Sequence, residues 1–466
     1  MFKKLLLLLS LSLLFLAACQ AAAPATPAAA PLPLTGARAS RLGASVLAIQ
    51  SNPDQVSARI TPIAAGSGKP ISGYAPFDLG SAYQFGFSPS REQLAVVSYG
   101  AENCPKRCFH LLDLRTWKES LAPVEVGKFA DAWTPEIVFD PSGQFSAFAL
   151  NDQSHPTSQV VIVDIRQGRV QAQVSLDHPI NRLRFLTGGQ LVVYGPGGPL
   201  NQDQVLRIAI LDPATLDINW QMDVPGVRVG GIESGDVNDP TRGRYLDPGV
   251  AFSADGSKLY IVAADEPRLV TVDLANHSVR SAEIQPRRSL LDRLVEALSM
   301  ATTVHAKMLN GTSKTALVSP DGQRLFVAGQ TTTAVKEKNG DYSMDVQPFG
   351  LQVIDLASAT EVAHLDTDAT FLELAPDGKA LFLYHWPQNG ADPQPWTQVL
   401  DLDTLKVTQT LTGEVHATRL LNGEMAWLSA QFQSSSASRL AIYTPGQPEP
   451  RVRWSMQDYA GWVLVP

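Results

Sequence analysis

The chain has 466 residues, 44% of them hydrophobic, and carries 45 acidic against 37 basic side chains for a formal net charge of −8. That apolar content supplies a large core. An acidic chain with no block of Lys or Arg argues against nucleic acid or an anionic lipid surface as the partner.

At the N-terminus, Lys3 and Lys4 precede an apolar run from Leu5 to Leu16 that is too short and wrongly flanked for a membrane span. The run ends in Leu16-Ala17-Ala18-Cys19, which resembles the lipobox of bacterial lipoproteins at all four positions. The resemblance implies a signal peptide over residues 1–18 and lipidation of Cys19, with acyl chains anchoring an extracytoplasmic protein to the bacterial membrane. An ordinary secretory signal cleaved after a small residue is the alternative. Residues 20–40 are almost all Ala and Pro, with no charge before Arg38. They have nothing to pack, so residues 19–40 read as the lipidated Cys and an extended tether. The folded domain is then expected over residues 41–466.

Two further cysteines, Cys104 and Cys108, stand in CPKRC between apolar strands. Outside the cytoplasm such an even pair reads as a structural disulfide. The spacing is not the C-x-x-C of a redox helix start, and a metal site needs two more ligands where only His110 is near.

The body of the chain repeats. VSPDGQRLFVAG at Val318, FSADGSKLYIVA at Phe252 and LAPDGKALFLYH at Leu374 each read as strand, Pro/Ala-Asp-Gly turn and strand. Weaker copies begin at Phe87, Phe139, Phe185 and Leu420, and successive copies lie 52, 46, 67, 66, 56 and 46 residues apart. A third strand follows each copy with a related ending, as in FHLLDL, VVIVDI, LVTVDL and LQVIDL, and a fourth strand follows most of them. Four antiparallel strands at a period of about 50 residues predict an all-β fold, a single β-propeller of four-stranded blades. Residues 44–51 and 56–64 read as the second and third strands of a blade, and residues 460–466 as its missing first strand. Paired, they would close the ring. Seven clear units plus this split unit predict eight blades, with seven as the alternative. The motifs SPDG…LFV…VIDL and SADGSKLYIV…VTVDL are similar to the YVTN-type and WD-type propellers of bacterial secreted and surface proteins over most of residues 87–453. The WD-type structural His is missing, and the resemblance implies a fold rather than a reaction.

Propeller geometry puts all the short turns between first and second strands on one face. The long segments 226–248, 286–313, 331–348 and 386–396 all fall on the other, which predicts that the long-loop face binds. Segment 286–313 contains RRSLLDRLVEALSMA, with Leu290, Leu291, Leu294, Val295 and Leu298 on one helical face and Ser289 with Asp292 as a capping signal. A short helical insertion on the rim or over the channel mouth is expected there.

Catalytic motifs are absent: there is no H-E-x-x-H, G-x-S-x-G, C-x-x-C or haem attachment site. GSGKP at residues 66–70 lacks the first Gly and the Ser/Thr of a phosphate loop and reads as a turn. No cofactor is expected; Asp236, Asn238 and Asp239 could offer oxygen ligands to calcium but lack the EF-hand spacing. The candidates left on the long-loop face are His178, Arg244, Tyr245, Asp247, His305, Lys307, His385, Trp386 and His416. The sequence thus points to a lipid-anchored binding or scaffolding module whose partner is a protein, peptide or envelope glycan. The alternative is a propeller enzyme, a hydrolase, lactonase or oxidoreductase, with its active site at the channel mouth.

Overall fold

The computed structural model describes residues 42–43, 45–52, 57–127, 132–152, 154–198, 204–232, 244–286, 310–336, 342–386, 395–434, 437–457 and 459–465. Every helical or extended element among them is a strand. Four free-standing sheets are four-stranded antiparallel meanders in chain order. One runs Ile137–Phe139, Phe145–Asn151, Ser158–Asp164 and Arg169–Leu176, and the next Gly249–Phe252, Lys258–Val262, Arg268–Asp273 and Ser278–Glu283. The others run Ala369–Leu374, Ala380–His385, Trp396–Asp401 and Val407–Thr412, then Glu414–Arg419, Met425–Ser434, Ala437–Tyr443 and Val452–Gln457.

Two larger sheets hold the same unit with additions. In the nine-stranded sheet the C-terminal strand Tyr459–Val463 pairs antiparallel with Ser45–Asn52, which continues through Ser57–Ala64 to Phe77–Gly80. A single parallel bridge, Gly80 to Tyr99, joins this array to Ala82–Phe87, Gln93–Ala101 and Cys104–Asp113. In the ten-stranded sheet Arg182–Phe185, Leu191–Pro196, Gln204–Leu211 and Ile218–Ile232 form one antiparallel array. It is tied through Arg244–Asp247 to Asn310–Val318, Arg324–Lys336, Leu351–Asp355 and Thr360–Leu365.

The sheets hold together because their middle strands bury both faces, as in Phe145–Asn151 and Ser158–Asp164. Strand neighbours point to opposite sides of a sheet, so Phe145–Asn151 sends Phe148 and Leu150 one way and Ala147 and Ala149 the other. Phe148 and Leu150 pack against Val97, Phe109 and Leu111 of the preceding sheet. Ala147 and Ala149 pack against Leu183, Val193 and Ala209 of the following one. The pattern recurs from sheet to sheet and returns to the start, where Val46, Ala48 and Ile63 meet Leu428, Leu440 and Ile442. This is a propeller-like arrangement: a lone sheet of this composition would leave one apolar face in water, and its neighbour covers it.

The turns account for the repeated letters. In the Ser-x-Asp-Gly turns the Ser hydroxyl accepts from the backbone five residues on, Lys258 N to Ser253 Oγ at 2.9 Å and Arg324 N to Ser319 Oγ at 2.9 Å, and Gly256 and Gly322 have φ of 73° and 71°. At the third-to-fourth-strand turns, Asp273 Oδ1 accepts from Ala275 N and Asn276 N at 3.1 and 2.9 Å, and Asp113, Asp164, Asp212, Asp355 and Asp401 do the same work. Four residues after each Asp the chain turns left-handed, at Trp117, Gly168, Leu216, His277, Ala359 and Leu405. The Asp of each VIDL-type ending is therefore a turn former that holds an uncommon φ.

Three expectations are adjusted. Residues 287–309, most of the expected helical insertion, lie outside the described residues, and residues 310–313 are strand, part of Asn310–Val318. Segment 331–348 is not an irregular loop. The run Thr331, Thr332, Thr333, Val335 is rich in β-branched residues, and it extends Arg324–Lys336 into a hairpin with Tyr342–Pro348. Segment 226–248 likewise begins and ends in strand. Cys104 and Cys108 are joined by a disulfide with Cα atoms 6.4 Å apart, and GSGKP is a turn closed by Gly68 N on Ala64 O at 2.9 Å.

Beyond its strand pairing, the C-terminal segment is held by a buried hydroxyl and a backbone bond from Arg419 N to Val465 O at 3.1 Å. Thr418 Oγ1 donates to Val465 O at 3.1 Å and accepts from Val465 N at 2.8 Å. Thr418→Val keeps the shape and leaves Val465 N without its acceptor, while Val465 O keeps the bond from Arg419 N at 3.1 Å. It is expected to lower the unfolding free energy by about 1–3 kcal/mol in urea titrations; an unchanged midpoint would show that this end carries no load.

Candidate functional site

The inner strands surround a cavity of about 1040 Å³. Five inner strands contribute to its wall, most of them through runs of consecutive residues. Glu136 and Val138, Arg182 and Arg184, Val250 and Phe252, and Lys314, Ala316 and Val318 all line it, as do Phe371 and Glu373. Strands that are otherwise apolar thus carry a charge toward the axis.

Each of these charges has a hydrogen-bond, ion-pair or ring neighbour. Glu136 Oε2 accepts from Arg182 Nη1 at 3.3 Å, and Leu183 N donates to its other oxygen. Burial raises the Glu136 carboxyl above the usual range, against the pull of Arg182. Asp247 accepts from Ser313 Oγ at 3.3 Å and is also raised by burial. Arg184 lies 4.9 Å from the Phe252 ring centroid. Lys314 Nζ donates to Ala263 O at 2.5 Å, and burial lowers its ammonium pKa to about 8.

On another part of the wall Glu373 opens a second network. Its Oε2 accepts from Tyr384 Oη at 2.6 Å and from His416 Nδ1 at 2.9 Å, while His416 Nε2 donates to Glu414 Oε1 at 3.1 Å. Burial works against the His416 cation, but the bonds to Glu373 and Glu414 outweigh it and raise its pKa to about 9. Glu373 and Tyr384 belong to one sheet, Glu414 and His416 to the next, so the network also bonds the two sheets together.

Half-exposed aromatic rings accompany the charges. Trp133 is 38% exposed and Phe371 47%, both on the cavity wall, and Tyr245, 50% exposed, stands two residues from the lining carboxyl of Asp247. Trp133 is fixed by a two-way backbone bridge to Asn151.

The sequence candidates divide. Asp247 lines the cavity, Tyr245 adjoins it, and His416 reaches its wall through Glu373. Of Arg244 only the backbone is described, paired with Ile232. Trp386 is 45% exposed at the end of its strand and does not line the cavity. His178 and His385 do not line the cavity. Both are buried, His178 with Nδ1 on Asp177 at 2.9 Å and His385 with Nδ1 on Asp368 at 2.9 Å, stacked on Trp396. Burial lowers the pKa of both imidazoles against the pull of those carboxylates. His305 and Lys307, Cys19, and Asp236, Asn238 and Asp239 lie outside the described residues. Among the described residues no group of three or more His, Cys, Asp or Glu has the geometry to hold a metal, and no helix is long and apolar enough to cross a membrane.

Glu136, Arg182, Lys314, Glu373, Trp133 and Phe371 were not singled out from the sequence. Their signal was there: charges in or beside four apolar first strands, in TPEIVF, NRLRF, TSKTALV and TFLELA. Once the first strand is known to face the axis, those charges have only the cavity to enter.

No protein-family model matches the chain, and no curated protein matches it. Solved structures do. A dihydro-heme d1 dehydrogenase, NirN, aligns over 92% of this chain and 76% of its own at 15% identity, with a TM-score of 0.54. A eukaryotic initiation factor aligns over 96% and 94% at 12% identity and a TM-score of 0.48. A 6-phosphogluconolactonase-like protein of Bacteroides fragilis aligns over 78% and 93% at 12% and 0.40. At these identities the likeness concerns the fold alone, a β-propeller.

The His416 network gives a test. A pKa raised from about 6.5 in the unfolded chain to about 9 contributes stability that is complete below the lower value and lost as pH rises through the higher. In an NMR titration His416 is expected to lose its proton near pH 9, and Glu373→Gln to move that midpoint down toward 6.5. A wild-type midpoint at or below about 6.5 would contradict the network.

Proposed function

We propose that this chain is a lipid-anchored, extracytoplasmic binding module, an eight-bladed propeller that takes its ligand in the central cavity from the long-loop face. The observation that carries the binding role is the cavity itself: inner strands that need only apolar side chains to fold carry charges and half-exposed rings toward the axis. Pockets that combine an apolar wall with a few convergent polar groups are the usual form of a ligand site.

Support for eight blades comes from the strand pairings. Beyond the four free-standing sheets, the two larger ones divide into antiparallel arrays at Gly80–Tyr99 and at Arg244–Asp247. The pairing of Tyr459–Val463 with Ser45–Asn52 supports closure of the ring by the chain ends. Support for the anchor comes from Leu16-Ala17-Ala18-Cys19 after its apolar run, followed by a tether with nothing to pack.

One preparation tests both halves. In a bacterial host the wild type is expected in the membrane fraction and Cys19→Ser in the soluble fraction. Envelope extracts separated into peptides and released glycans are expected to raise the melting temperature of the wild type with one fraction and not that of Trp133→Ala, since a ligand of the native state stabilises it by mass action. Cys19→Ser remaining on the membrane would overturn the anchor. Equal shifts in wild type and Trp133→Ala, or none in either, would overturn the binding site.

A further inference from the structure

Resting on the binding reading, the geometry points to a neutral oligosaccharide as the ligand class of the cavity. Three features narrow the choice. The first is charge. Glu136 sits on Arg182, Glu373 and Glu414 hold His416 between them, Asp247 takes a hydroxyl hydrogen bond from Ser313, and Lys314 donates to a backbone carbonyl. A cavity built for an anionic or cationic ligand would leave charge of one sign to meet it. Here three cations, Arg182, Arg184 and Lys314, face three carboxylates, Glu136, Asp247 and Glu373, so neither sign is in excess, and what they offer inward is hydrogen-bonding capacity of both kinds: the remaining donors of Arg182 and Lys314 and the remaining acceptor sites of Glu136, Asp247 and Glu373. That suits a ring of hydroxyl groups, each both donor and acceptor.

The second feature is the aromatic surface. Trp133 and Phe371 hold half-exposed rings against the cavity, and Tyr245 adjoins it. Keeping such rings in water is unfavourable, and the apolar CH faces of a sugar are the complement that leaves its hydroxyl edge for the polar groups. The third is size. At about 1040 Å³ the cavity is at the upper end of sites for a single small molecule, about 300–1,000 Å³. A cavity of this size has room for more than one sugar ring.

The test is isothermal titration of the full-length chain, held in a detergent without a sugar head group. The probes are chitotetraose, maltotetraose and xylotetraose as neutral oligosaccharides, tetragalacturonate as the anionic counterpart, and tetra-alanine as a peptide. At least one neutral oligosaccharide is expected to bind. Trp133→Ala and Phe371→Ala are each expected to weaken it by about ten-fold, the loss typical of an aromatic anchor. Both side chains are half-exposed, and wild-type circular dichroism and melting temperature verify that the variants fold. Binding of tetra-alanine or tetragalacturonate alone, lost in the same variants, would overturn the sugar class and leave the binding site standing. Neutral binding unaffected by both substitutions, or no binding of any neutral probe, would overturn the proposal.

Discussion

Everything in this molecule depends on strands that bury both faces. Phe148 and Leu150 go to one neighbouring sheet, Ala147 and Ala149 to the other, and no sheet is complete without the two beside it. Hydrophobic burial alone would accept many arrangements of such sheets. What restricts them are the tight turns, which keep the strands in sequence order. The pairing of Tyr459–Val463 with Ser45–Asn52 then supplies the last array with its inner strand.

That packing leaves one direction free. An inner strand has neighbours on both faces and a second strand along one edge, so only side chains beside the axis escape the core. The residues there do not resemble the core. Glu136, Arg182, Lys314 and Glu373 replace the Val and Ile that the same positions would tolerate, and burial pushes the Glu136 carboxyl up and the Lys314 ammonium down, each away from its charged form. By linkage, a charge made less favourable in the folded state subtracts from stability. Such groups are retained in a fold when they serve something else. The His416 network differs: its carboxylates favour the cation, and it bonds two consecutive sheets as well as facing the cavity.

The fold was legible because the chain states it repeatedly. The Ser-x-Asp-Gly turns and the Asp that ends each third strand are local devices, and their hydrogen bonds lie within five residues, so the letters carry the geometry. The closing strand was legible for the same reason: 44–51 and 56–64 lack an inner partner in sequence, and 460–466 is a strand without a sheet. The site was less legible. His178 and His385 drew attention because histidine is rare and chemically versatile, but each is buried away from the cavity with Nδ1 on a carboxylate. Glu136 and Lys314 were overlooked because a single charge in a strand usually marks a solvated face. Only the burial of both strand faces turns that charge toward the axis, and this is a long-range property. The Thr331–Val335 run showed the opposite error: its β-branched residues marked a strand, and loop length drew the attention instead.

The claim at the centre is that the inward charges serve ligand binding and are carried at the expense of stability. Lys314→Met tests it most directly by equilibrium urea unfolding at pH 7. The Lys314 pKa is lowered from 10.5 to about 8, so its charge opposes folding at every pH below that range. After the loss of its bond to Ala263 O, removing it should raise the unfolding free energy by about 1–2 kcal/mol. A fall of similar size would show that Lys314 holds the fold together and that the cavity wall is charged for structural reasons.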